Sequence, residues 1–146
     1  MTPGTLLCDA RFDFSNGTYG KKILVVLNDG SDYPYIVVKT TSQQKNRGTV
    51  YGCQLKDRFP NFFLPKGCCY LSSPTWVQLE DFRELDQQVV LNKHFSGELV
   101  RLAELPKSIT IELLRCAIKA DDITFAQQEV LERTLTKLLD EQKCSS

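Results

Sequence analysis

Histidine is all but missing from this chain of 146 residues, which contains His94 alone, and no two cysteines are spaced as CxxC. Structural metal sites draw mostly on those two residue types at short fixed spacings, so no metal site is expected. The same scarcity argues against hydrolases of the Ser/His/Asp or Cys/His type. His94 lies in a polar stretch, Leu91-Asn92-Lys93-His94-Phe95-Ser96-Gly97, with no nucleophile elbow nearby. No apolar run reaches the roughly 18 residues of a membrane helix. The N-terminus also lacks a basic segment followed by a hydrophobic one, so neither a span nor a signal peptide is expected, and a cytoplasmic location is. Internal repeats and low-complexity tracts are absent as well.

Cysteine, by contrast, is present six times, at positions 8, 53, 68, 69, 116 and 144. Cys8 and Cys116 have apolar neighbours and read as small core residues. The adjacent Cys68-Cys69 pair would close a strained ring if oxidised. Cys53, beside Gly52, is the candidate for surface reactivity. Disulfides are therefore not expected to hold the fold. At 42% apolar residues the chain is able to bury a sizeable core without them, and residues 1–146 read as one domain.

A net charge of zero conceals an asymmetry. Residues 1–66 hold nine Lys or Arg against five Asp or Glu, while residues 67–146 hold nine against thirteen, so the first half is basic and the second acidic. Lys39, Lys45, Arg47, Lys56 and Arg58 cluster in the basic half with Tyr51 and Phe59 between them. Cations that follow a backbone, interleaved with rings that stack on bases, are the composition of single-stranded RNA sites.

Runs of β-branched and aromatic residues bounded by Gly, Pro, Asn and Ser predict strands near 5–12, 22–28, 35–42, 50–55, 61–64 and 75–79. Residues 1–85 are thus mainly β. The stretch 97–141 reads as mainly helical: Leu99, Leu102 and Leu105 suggest a short helix or turn, and Ile109, Ile111, Leu113, Leu114 and Ile118 form a helical stripe with Ser108 as cap. A last helix spans Thr124 to Glu141, opened by the capping box Thr124-x-x-Gln127, with residues 142–146 as a frayed tail. This helix is expected to pack on the core, partner docking being the alternative. The implied fold class is α+β, a small SH3-like β-barrel, that is a curled antiparallel sheet, with C-terminal helices.

The two most apolar strands carry the functional signal. Lys21-Lys22 opens one, Thr40-Thr41-Ser42 closes the other, and Asn28-Asp29-Gly30-Ser31-Asp32 joins them as a hairpin. Such a hairpin brings cations and hydroxyls onto one rim, where a sugar-phosphate backbone fits. This order resembles the MazF/PemK family of toxin endoribonucleases. There an Arg-Pro opens the first core strand and Thr-Thr or Thr-Ser ends the next. The resemblance covers roughly residues 3 to 118 and takes in Pro3-Gly4-Thr5-Leu6-Leu7, Phe12 and Phe14, Ser73-Pro74-Thr75-Trp76-Val77-Gln78-Leu79 and Glu80-Asp81-Phe82-Arg83-Glu84-Leu85. Lys21-Lys22 stands in place of Arg-Pro, and no acidic residue lies between Ser15 and Gly20.

What the resemblance implies is cleavage of single-stranded RNA without a metal or other cofactor, a homodimer, and an antitoxin protein that neutralises the activity. Lys21 then matches the catalytic arginine and Thr41 the catalytic threonine. Asp13 is the nearest acid for a general base, and Lys22, Lys39, Thr40, Ser42, Lys45 and Arg47 are the expected RNA contacts. The alternative is a non-catalytic module on the same fold that holds nucleic acid or a protein partner through its basic half.

Overall fold

The computed structural model describes residues 1–69 and 71–144. Among these, eight strands and three helices follow in the order β1 (Thr5–Asp13), β2 (Tyr19–Val26), β3 (Tyr35–Thr41), β4 (Gly52–Gln54), β5 (Asn61–Leu64), β6 (Thr75–Gln78), β7 (Arg83–Leu85), α1 (Gln87–Phe95), β8 (Leu99–Glu104), α2 (Lys107–Ile118) and α3 (Phe125–Cys144). The protein is α+β. Its strands pair antiparallel in the order β4-β5-β6-β3-β2-β1-β8, with β7 beside β3, and the sheet is not closed between its ends, β4 and β8.

The apolar runs of β2 and β3 are continuous because both faces of the sheet are covered at its centre. Side chains alternate across a strand, so Val25, Leu27, Ile36 and Val38 enter the larger core with α2 and α3. Leu24, Val26, Tyr35 and Val37 enter a second core with Leu7, Phe12 and Leu99, against which Val90 of α1 packs. The last helix belongs to the main core: Val130, Leu131 and Leu138 are buried in it. Its capping box is reciprocal, with Gln127 N–H donating to Thr124 Oγ1 (3.1 Å) and Thr124 N–H to Gln127 Oε1 (3.0 Å).

Several expectations need correction. Leu99 and Leu102 belong to strand β8, not to a helix or turn. Their misleading spacing comes from an irregularity in the β1–β8 register, where Leu6 faces Ala103 but Leu7 faces Arg101, leaving Leu102 as the extra residue. Helix α1 replaces the polar connection around His94. It has no buried residue and so no apolar stripe; instead Asp86 caps it by accepting from Val89 N–H (2.8 Å), and Lys93 ties it to the buried Asp9 carboxylate (2.6 Å). Helix α2 starts one residue earlier than Ser108, after Pro106, and no side chain caps it. Residues 142–144 are helical rather than frayed, and the rest of that tail lies outside the described residues. Cys116 is not a free core thiol, nor is Cys53 a reactive one: a disulfide joins them, tying β4 to α2. Cys68 and Cys69 are also joined, while Cys8 and Cys144 are free.

Candidate functional site

The ladder between β2 and β3 pairs Val26 with Val37, Val25 with Val38 and Leu24 with Lys39. Beyond Lys39 the two strands take different partners. The start of β2 stays with β1, where Lys22 faces Asp9 and Gly20 faces Phe12, while the end of β3 joins β6, where Thr40 faces Val77 and Thr41 faces Trp76. This fork opens a groove of about 580 Å³. Lys21, Lys22 and Ile23 form one side, and Lys39, Thr40, Thr41, Ser42 and Gln43 form the other. Leu71, Ser72, Ser73, Thr75 and Gln78 lie along the β6 side, with Phe14 at one end and Lys45 and Arg47 over it from the loop after β3.

That loop is fastened to the sheet at one residue. Gly48 O accepts from Trp76 Nε1 (2.8 Å) and Gln54 Nε2 (2.9 Å), and its N–H donates to Asp57 Oδ2 (2.8 Å). A Cβ at this position would lie 2.4 Å from Gln54 Oε1, so a larger residue here would push the Gln54 carboxamide aside. At the tip Lys45 and Asn46 both adopt positive φ, 43° and 66°. Such backbone is costly for a lysine and persists only where its surroundings hold it. The next residue supplies the hold: Arg47, only 5% exposed, donates from Nη1 to Gln43 O (2.9 Å) and sets its guanidinium 5.0 Å from the Phe59 ring centroid. Arg47 is thus a brace that lends its charge, rather than the free RNA contact expected.

The cations of the groove differ in state. Lys22 is half-buried and donates from Nζ to Thr40 O (2.9 Å). Burial, followed by repulsion from Lys39, Arg47 and Lys45, holds its ammonium below the usual lysine value. Lys21, matched in sequence to the catalytic position, is exposed. Lys39 is paired with Asp81 (3.3 Å), whose carboxylate also receives Arg83 (2.9 Å). Hydrogen bonds from Arg83, opposed by burial and reinforced by the charges of Arg83 and Lys39, hold Asp81 below the usual carboxylate range. Burial also lowers Arg47 from the usual guanidinium value, against the nearby charges of Glu80 and Asp57.

The hydroxyls are likewise unequal. Thr40 is buried and donates to Ile23 O (2.9 Å), which closes the fork. Thr41 accepts from Gln43 N–H (3.1 Å) through its hydroxyl, and Ser42 is exposed beside it.

The fork therefore brings together eight of the nine expected residues: Lys21, Lys22, Lys39, Thr40, Thr41, Ser42, Lys45 and Arg47. Asp13 is not among them. It faces Tyr19 at the last pair of the β1–β2 ladder, beside Phe14, and its carboxylate accepts from Ser15 N–H (2.8 Å) and shapes the turn. Among the described residues the groove is lined by no carboxylate and no imidazole. Two members that sequence alone does not mark are the buried Gln78 and Trp76, the first in the lining and the second holding the loop; both look like ordinary strand residues until β6 is set beside β3. No family model matches this chain, and neither a curated protein nor a solved structure matches it.

Proposed function

We propose that the groove binds the backbone of single-stranded RNA and cleaves it without a metal ion. The observation that carries the binding reading is the convergence of Lys21, Lys22, Lys39, Lys45 and Arg47 with the hydroxyls of Thr41 and Ser42, and with no lining carboxylate among the described residues to oppose a phosphate. Cleavage rests on a second observation, the depressed ammonium of Lys22. A lysine that releases its proton more readily serves as general base toward a ribose 2′-OH, whereas the Asp13 carboxylate accepts from Ser15 N–H and does not line the groove. The 2′-oxygen then attacks phosphorus, Lys21 and Thr41 hold the phosphorane oxygens, and the 5′-oxygen departs with a proton from a neighbouring ammonium group.

In its fullest form the reading is that of a MazF/PemK-like toxin: an SH3-like barrel, a symmetric homodimer in the cytoplasm, and an antitoxin segment that occupies the groove in place of RNA. The open cationic fork is what such a segment, if acidic, would cover. Purified protein incubated with single-stranded RNA in EDTA is expected to retard it in a gel and to leave 2′,3′-cyclic phosphate ends. Retardation of RNA that stays intact limits the function to binding, and unretarded intact RNA refutes both parts.

A further inference from the structure

Two residues that line the groove each hold a buried polar atom with no hydrogen-bond partner among the described residues: Nε of Arg47, a donor, and Oε1 of Gln78, an acceptor. Both residues are more than nine-tenths buried, at 5% and 8% exposure. Buried polar groups are nearly always paired, and a donor and an acceptor left open along one groove point to a ligand that brings the complementary pair. A phosphate does not, because it offers only acceptors. The edge of a nucleobase does.

We propose that Gln78 is the base-reading residue of the groove, taking one unpaired nucleobase of the bound strand by its hydrogen-bonding edge, with adenine preferred. The inference rests on the RNA-binding reading and adds to it the choice of sequence. Gln78 ends β6 and, continuing the register of Thr40 with Val77, falls level with Lys39 on the face that the 43–50 loop covers. Its Oε1 has no hydrogen bond to break among the described residues, so turning the carboxamide toward an incoming base costs no such bond. Once turned, it offers an acceptor beside a donor, which match the amino group and ring nitrogen of adenine. The stretch Leu71-Ser72-Ser73 on the same side supplies an apolar surface and hydroxyls around that base, while the lysines opposite hold the flanking phosphates.

The test uses 2′-O-methyl oligonucleotides, which bind but cannot be cleaved through the 2′-oxygen. Wild-type protein is expected to bind oligo(A) about tenfold more tightly than oligo(U), as for one bidentate base contact. Gln78→Leu should remove that ratio while keeping the salt dependence, whereas Lys45→Ala should weaken both oligomers equally and keep the ratio. Because Oε1 is unpaired, Gln78→Leu should melt no lower than wild type; Gln78→Met, closer in length, gives the same readings if the leucine variant does not fold. Equal wild-type affinity for the two oligomers, or a ratio that survives in a folded Gln78 variant, overturns the base-reading role alone. Failure of every oligomer to bind overturns the groove reading and this inference with it.

Discussion

Lys22, rather than its neighbour Lys21, has the unusual electrostatics in this groove. Its ammonium is half-buried, bonded to Thr40 O, and faced by Lys39, Arg47 and Lys45, so its charged form is disfavoured. A bound phosphate offsets the repulsion from those cations, so the charged form of Lys22 is less disfavoured in the complex than in the free groove. The sign follows. The folded pKa lies below the free value, so as pH rises the charge is lost at lower pH than for an ordinary lysine, and affinity for a single-stranded oligonucleotide should begin to fall on the acid side of pH 10.5. In Lys22→Ala this early limb should vanish, leaving only the later titration of ordinary lysines. For cleavage at neutral pH, loss of the general base in Lys22→Ala should lower the rate about 10²–10⁴-fold, more than Lys21→Ala does. Single-turnover rates on the two variants decide the order.

At the scale of elements, α3 is part of the core and not an appended docking segment. Leu131 is fully buried against the main cluster, whereas Phe125, at the start of the same helix, is 74% exposed. Leu131→Ala should therefore lower the unfolding free energy by about 2–5 kcal/mol in a urea titration, and Phe125→Ala should barely change it. The Cys53–Cys116 disulfide acts between elements as well. It closes 63 residues of chain from β4 to α2, so by chain entropy its reduction should cost up to about 4 kcal/mol, read as a lower Tm in the presence of a dithiol.

The elements also show what was legible before the structure. The strands of the first half were readable because their β-branched runs are long and sharply bounded, and α3 because its cap and stripe agree. Helix α1 was not readable because nothing in it is buried, and β8 was not because its bulge gave leucines a helical spacing. The rim of the groove could be read from adjacent strands. Gln78 and the bracing role of Arg47 could not, since they depend on β6 pairing with β3 and on a loop folding back over it.

For the whole molecule, zero net charge would ordinarily predict weak attraction to a polyanion. The fold changes this by collecting five cations of the first half at one fork, while most acids of the second half, among them Glu98, Asp121 and the helical Glu112, Glu132 and Asp140, lie outside the groove lining. A polyanion at the fork would be attracted by this local field and not by global charge. Of the five groove cations, Lys39 is already paired with Asp81 and Arg47 is a buried brace, leaving about three to displace counterions, so log Kobs against log salt should have a slope near −2 on single-stranded RNA. Asp81→Asn releases Lys39 into the groove and should steepen that slope by about 0.7 while tightening binding at low salt. A slope near zero for the wild type would mean that phosphates are not what the fork holds, and an unchanged slope in Asp81→Asn would mean that Lys39 takes no part in holding them.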